Sequence, residues 1–252
     1  MKPLTQANLA SVRLVATDMD GTLTKEGKFT SELLIALETL AAKNIPVLIT
    51  TGRSAGWVSG VANYLPLVGA IAENGGLFYN NQNGISELIT NLGDVETHRL
   101  KLKDTFQLLQ SKFPEIKESS DNSFRITDWT FDIGDLTPSQ LEVMDGICRD
   151  SGFGFTYSTV QCHIKPPQQD KALGLQHVLK KHFLDLTPRT VITVGDSPND
   201  ESLFNRDYFP LSVGVANIIH YSDRMIHKPT YITSLSEVQG FCELAFALNI
   251  EH

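Results

Sequence analysis

Two acids flank a single methionine in the stretch VATDMDGTLT, Val15 to Thr24, where a short apolar run ends. Asp18 and Asp20 so placed repel one another, and each raises the other's pKa unless a cation or donor offsets the charge. Such strain concentrates where a protein uses it. A carboxylate can attack phosphorus and carry the phosphoryl group as an aspartyl-phosphate. An anion approaching a dianion needs positive charge nearby, from a divalent cation, a lysine, or hydroxyl and backbone donors. Three other places carry such groups: the Thr51-Gly52-Arg53 turn, Lys171, and Asp196 with Asn199 and Asp200. Asp18 is then the candidate nucleophile. Asp20 is the candidate acid/base, protonating a leaving alkoxide in one half-reaction and activating water in the other. Mg2+ bound among Asp18, Asp196 and neighbouring oxygens is the expected cofactor, because it takes a few carboxylate oxygens and keeps several waters. Lys171 would add a point charge, and the Thr51-Gly52-Arg53 turn would hold the phosphoryl oxygens.

These residues can meet only at one edge of one sheet. Val12 to Ala16 is apolar except for Arg13 and reads as a buried strand, broken by Asp and Gly into a turn. TSELLIALETLAAKN follows with Leu33, Leu37, Leu40 and Ala41 at helical spacing and Thr30 or Ser31 as N-cap. IPVLITTGR is a second strand, Ser54 to Tyr64 a second helix, and LVGAIAENGG a third strand, while YNNQNG marks a hairpin. This rhythm predicts an α/β fold, a doubly wound, Rossmann-like parallel sheet with helices on both faces. Ligands of such sheets bind outside the carboxyl ends of the strands, where the four groups fall.

The middle of the chain reads differently. Asp94 to Phe113 is helical, SFRITDWTFDIG reads as two short strands about Thr127-Asp128, and TPSQLEVMDGICRDSG is a helix with Thr137 as N-cap and Pro138 next. FGFTY and VQCHIKP form a further strand pair. The order αββαββ predicts a small α+β cap over 89–166, inserted into a core of 1–88 and 167–252. After Asp170 the rhythm returns with KALGLQHVLKKHF, TVITVGD, SPND and LSVGVA.

Composition excludes several classes. Of 252 residues, 41% are hydrophobic and 20% charged, enough for a full core without a disorder signature. The formal charge is −8 and no Lys/Arg cluster occurs, which argues against nucleic acid or an anionic membrane as partner. Three dispersed cysteines, Cys148, Cys162 and Cys242, form neither a disulfide framework nor a zinc site. No apolar stretch reads as a signal peptide or a membrane span, so a cytoplasmic location is expected. The composition does not address oligomeric state.

DMDGTLT, TTGR, the helix opened by Lys171 and GDSPND resemble, in order and spacing, the four motifs of the haloacid dehalogenase-like phosphatases. The resemblance implies Asp18 as nucleophile, Asp20 as acid/base, and Thr51 and Lys171 as phosphate-binding residues. It implies Mg2+ ligation by Asp18, the Asp20 carbonyl and Asp196, with Asn199 and Asp200 completing the site directly or through water. Asp20 also sets the chain apart from P-type ATPase relatives, which carry Thr there. A cap after the third strand resembles the type IIB subclass, which acts mostly on small phosphorylated metabolites. AENGG, the small cap and CHIKPPQQDKA are most similar to phosphoglycolate phosphatases of archaeal type, whereas many sugar-phosphate relatives carry Glu in place of His163.

Each motif has a plainer reading when taken alone. A calcium loop built on Gly21 would need a ligand at Ala16 and a glutamate at Gly27, so it fails on spacing. Lys171 alone is an ordinary helix lysine, and Asp196 to Asp200 alone is a helix cap. Their joint occurrence favours the site. In VQCHIKP, Val160, Cys162 and Ile164 share one face, leaving Gln161, His163 and Lys165 opposite. In SFRI, Phe124 and Ile126 leave Arg125 on the other side. Either polar face is solvated or turned towards the active site. In the second case Arg125, whose planar fork suits a carboxylate, and His163 would select a short phosphorylated acid such as phosphoglycolate. Asn74, after the third strand, is a further substrate-contact candidate. Competing functions are a sugar-phosphate phosphatase, a phosphomutase, a phospho-accepting receiver domain and an inactive binding protein. A receiver would be about half this length and normally lacks the second acid.

Overall fold

The computed structural model describes residues 1–81, 83–158 and 160–251. Among the described residues, eighteen strands and α-helices follow one another in the order β1 (Lys2–Pro3), β2 (Leu14–Thr17), α1 (Ser31–Ala42), β3 (Val47–Thr50), α2 (Ala55–Tyr64), β4 (Gly69–Ala72), β5 (Leu77–Asn80), β6 (Ile85–Leu88), α3 (Val95–Lys112), β7 (Trp129–Asp132), α4 (Pro138–Asp150), β8 (Gly154–Tyr157), β9 (Gln161–Lys165), α5 (Lys171–His182), β10 (Val191–Gly195), β11 (Leu211–Gly214), β12 (Tyr231–Ile232) and α6 (Glu237–Glu251). Nine strands form one sheet in the order β1-β12-β11-β10-β2-β3-β4-β5-β6. It is parallel from β1 to β4, and the β5–β6 hairpin adds an antiparallel edge.

The central strands β2, β3, β4 and β10 are buried along their whole length, as strands covered on both faces must be. One face packs on α1, α2 and α6 through Leu33, Leu37, Val58, Phe241 and Leu244. The other packs on α5 and the 3-10 turn Pro198–Phe204 through Leu175, Val178, Leu203 and Phe204. The α/β core with helices on both faces therefore has the expected architecture. The Thr30 side chain caps α1 by accepting from Leu33 N at 3.3 Å. At YNNQNG the chain turns back between β5 and β6, with Gly84 at φ +68°; Gln82 lies outside the described residues. Sequence reading stopped short of α6, although Val238, Phe241, Leu244, Ala245 and Leu248 recur at helical spacing and are all buried.

The inserted unit has its own core. α3 and α4 cover one face of a three-stranded antiparallel sheet, β7-β9-β8, through Leu102, Phe106, Met144, Phe131, Cys162 and Ile164. Thr137 and Gln140 form a reciprocal capping box at α4, with Pro138 at its first position. The expected αββαββ order is corrected here to αβαββ. The first strand expected in SFRITDWTFDIG does not form, because Ser120–Phe124 is a 3-10 turn and only Trp129–Asp132 pairs with β9. The phase switch has another cause: Phe124 is 61% exposed while Arg125 is buried, the reverse of an apolar-in strand. A buried guanidinium needs acceptors all around it, and a tight turn supplies them from Asp121 and Asp128.

Candidate active site

Three parallel strands end together and deliver the expected groups to one edge. Asp18 follows β2, its backbone N–H donating to the Val194 carbonyl of β10 at 2.9 Å. Gly21, at φ +80°, lets the next turn pass against the Asp196 carboxylate, where any Cβ would collide. Thr51 follows β3, and its hydroxyl accepts from Arg53 N at 3.2 Å. Asp196 follows β10. Asp170 caps α5 by accepting from Leu173 N at 2.9 Å, which places Lys171 on the first turn, fully buried.

Lys171 Nζ donates to Asp18 Oδ1 at 2.5 Å and to Asp200 Oδ1 at 2.6 Å. The other Asp200 oxygen accepts from the backbone N–H groups of Asp196 (2.9 Å) and Ser197 (3.1 Å). Asp200 is thereby fixed as the orienter of Lys171. Asn217, which sequence reading missed, holds Asp196 by donating to its Oδ2 at 2.8 Å and to the Gly21 carbonyl at 3.1 Å. No motif announced it, since it lies in the 3-10 turn Ala216–His220 beyond the last segment read.

Charge explains what this cluster accommodates. Carboxylate oxygens of Asp18, Asp196 and Asp200 all lie within 4.8 Å of one another, and all three residues are buried. Three carboxylates against the single Lys171 cation leave two negative charges, the deficit a divalent cation fills. Without one, burial pushes Asp18 up to about 7 despite Lys171, with Asp200 adding to the rise. Burial, then Asp18 and Asp200, push Asp196 well above the usual carboxylate range. Burial lowers the Lys171 ammonium pKa, but the two acids outweigh it and raise it above its ordinary value. The all-oxygen donor set suits Mg2+.

Asp20 stands apart from the buried acids. Its carboxylate takes a two-pronged contact from Arg53, Nε to Oδ2 at 2.8 Å and Nη2 to Oδ1 at 2.7 Å, with the guanidinium 5.1 Å from the Trp57 ring centroid. Arg53, expected among the substrate contacts, is thus spent on Asp20. Asn199 does not place its side chain on the acids either. Its Oδ1 accepts from Ser197 Oγ at 2.7 Å, and its Nδ2 donates to Asn74 Oδ1 at 3.2 Å. The buried Asn74 Nδ2 has no hydrogen-bond partner among the described residues. It points to where a Gly52 Cβ would stand, 3.2 Å from that position, and the His163 ring edge is 2.9–3.1 Å from the same position.

His163 is the point at which the cap enters the site. Gln161, His163 and Lys165 do occupy the β9 face opposite Cys162 and Ile164, and that face is buried. Asp128 Oδ2 bonds His163 Nδ1 at 2.9 Å. Burial lowers the His163 pKa against the pull of Asp128, so the imidazole is neutral near pH 7, with its proton on Nδ1. Burial would raise Asp128, but Arg125 and His163 hold it below its ordinary value. Arg125 reaches the same junction without a free donor. Its N–H groups go to Asp121, Asp128, Gln161 Oε1 and the Gly52 carbonyl, at 2.9–3.2 Å. The expectation of an available Arg125 fork for a carboxylate is corrected: a substrate would have to displace Asp121 or Asp128. Asp128 carried no signal alone, since its role depends on a turn that its own ion pair helps to build.

Asp18, Asp20, Thr51, Gly52, Arg53, Asn199, Gln161 and His163 are among the residues lining a partly open hollow with about 10 Å³ of free space, about what one water needs. Larger hollows lie elsewhere, including one of about 600 Å³ beside α3 that includes no member of this set.

Residues 15–98 match the family model of the haloacid dehalogenase-like hydrolases. The chain is 27% identical over 238 residues to phosphoglycolate phosphatase 1 of Saccharolobus solfataricus, covering 92% of this chain and 93% of that one. It is 26% identical over 239 residues to a phosphoglycolate phosphatase of Methanothrix thermoacetophila, covering 92% and 95%. Among solved structures, Thermoplasma acidophilum 0175 superposes with a TM-score of 0.76 at 19% identity, over 95% of this chain and 99% of that one. The sucrose-phosphatase of Synechocystis sp. PCC6803, solved with sucrose and phosphate, gives 0.70 at 17% identity over 94% and 97%. These two structures speak for the fold.

Proposed function

We propose that this chain is a haloacid dehalogenase-like hydrolase, acting as a Mg2+-dependent phosphomonoester hydrolase of a small phosphorylated acid resembling phosphoglycolate. The observation that carries the reading is the buried cluster of three acids around one lysine at the ends of β2 and β10. In this reading Asp18 Oδ2, the oxygen turned away from Lys171, attacks phosphorus as the bond to the leaving oxygen breaks, and holds the group as an acyl phosphate. Lys171, the Thr51 hydroxyl and the backbone N–H groups of the Thr51-Gly52-Arg53 turn stabilise the equatorial oxygens. Asp20 delivers the proton to the leaving oxygen and later takes one from water, and Arg53 holds it in place between the two steps. Asp18, Asp196 and the Asp20 carbonyl would hold Mg2+, with Asp200 and Asn199 behind them. When bound, Mg2+ supplies charge neutralisation for the incoming anion.

The cap is assigned to residues 89–166. It would choose the leaving group through His163, with Arg125 framing His163 rather than touching substrate. The similarity to phosphoglycolate phosphatases along most of the chain favours a short acid over a hexose. A phosphate-release screen with Mg2+ across phosphorylated acids, sugars and nucleotides tests the reading. Phosphoglycolate or a near relative should head the series. Faster turnover of hexose phosphates would sink the small-acid assignment.

A further inference from the structure

The AENGG turn after β4 places two residues in the left-handed region consecutively, Glu73 and Asn74, each at φ +53°. Neither is glycine, and such backbone persists only where the surroundings over-determine it. The turn is tied to the phosphoryl loop twice, Glu73 N donating to the Arg53 carbonyl at 3.0 Å and Asn74 N to the Thr51 carbonyl at 2.9 Å. The two side chains then diverge. Asn74 turns its unpartnered Nδ2 towards the site, held by Asn199.

Glu73 goes the other way, is fully buried, and has no place in the catalytic scheme above. Its Oε1 accepts from Ala55 N at 2.9 Å, capping the first turn of α2, which Ser54 leaves uncapped by its own side chain. The remaining donors come from the cap. Ile126 N lies 3.1 Å from both oxygens, and Thr127 supplies its N–H at 2.6 Å and its hydroxyl at 2.8 Å to Oε2. Gln169 closes the arrangement, donating to the Glu73 carbonyl at 2.5 Å and to Thr127 Oγ1 at 2.9 Å, and accepting from Thr90. Thr90 and Gln169 lie on the two chain crossings between core and cap.

We propose that Glu73 is a positioning residue that makes phosphoryl transfer conditional on the cap being seated, by joining the cap loop 125–128 to the turn that presents the Asn74 amide. The proposal rests on the phosphatase reading. The partly open hollow at the site holds about 10 Å³ of free space, less than a phosphoryl group needs, so the cap must shift to admit a substrate. Lifting removes three of the four donors that hold the Glu73 carboxylate, and the strained turn then keeps only its ties to the core, from Ala55, Arg53, Thr51 and Asn199. Seating the cap restores them, and with them the Asn74 donor beside Gly52. Attack by Asp18 on a half-bound substrate is thereby suppressed.

Glu73→Gln tests this, because the new amide presents N–H groups where the cap already supplies donors. With Mg2+ and the best substrate of the screen, kcat should fall roughly tenfold or more while KM changes less. Amide exchange should quicken together in 123–128 and 52–55 and stay at the wild-type rate in α4 and β10. Thr127→Val should give a smaller version of the same pattern and Thr127→Ser should restore it, which carries the test if Glu73→Gln does not fold. Unchanged kcat with unchanged exchange in 123–128 overturns the proposal, and so does exchange that rises throughout the core. A wild-type protein that releases no phosphate from any ester refutes the phosphatase reading instead, while the exchange comparison still reports whether Glu73 ties the two loops.

Discussion

At the core edge, Asp18, Asp196 and Lys171 arrive from two strand ends and a helix start, and their charges do not balance. On the cap face, Arg125, Asp128, Asp121, Gln161 and His163 satisfy one another almost completely. The first region is built with a deficit of positive charge that a divalent cation can fill. The second is a finished frame that offers substrate little more than one imidazole edge. In the proposed reading, chemistry belongs to the unbalanced region, and selection to what the balanced region leaves over.

Breaking the unbalanced region should have the largest effect. Asp18→Asn should fold and lower kcat by about a thousandfold or more in a phosphate-release assay, since no neighbouring group can replace the nucleophile. An active, folded Asp18→Asn protein would reverse the assignment. Asp20→Asn should cost about 100- to 10,000-fold on alkyl phosphates and much less on p-nitrophenyl phosphate, whose leaving group scarcely needs a proton. Equal losses on both would place Asp20 in the framework with Arg53.

The balanced region should respond in stability before specificity. Arg125→Ala strands Asp128 as a buried, unpaired charge, a loss of about 3–5 kcal/mol measurable by urea denaturation. A carboxylate-binding Arg125 would give the opposite pattern: intact stability and slower turnover of acids alone.

Legibility in the sequence follows the same division. Asp18, Thr51, Lys171 and Asp196, each ordinary by itself, were expected together because their motifs follow one another in order and spacing. The 3-10 turn Ser120–Phe124 was not, because burying Arg125 depends on Gln161 and Gly52, far away in sequence. Glu73 and Asn217 were missed for that reason too, as both act through backbone groups of distant segments. The missed α6 is different: its buried positions recur at helical spacing, so the signal was present in the chain.

A smaller effect sharpens the charge argument. Burial raises the Asp18 pKa from the usual carboxylate range to about 7 and raises Asp196 as well. The metal-free folded protein thus holds protons that the unfolded chain has released above about pH 4. The corresponding stability is complete below that pH and is lost as the pH rises through about 7. Melting temperature without metal should fall across this window, and the gain on adding Mg2+ should grow from about pH 5 to about pH 8, each kcal/mol appearing as about 2–4 °C. A Mg2+ effect independent of pH would place the cation away from these acids.

The most direct test of the central claim is mass spectrometry of the protein acid-quenched during turnover with Mg2+. The account predicts a phosphoryl group on the peptide containing Asp18, removable by hydroxylamine and missing from Asp18→Asn. Turnover with the group found on another residue, or with no covalent adduct under conditions where dephosphorylation limits the rate, would contradict it.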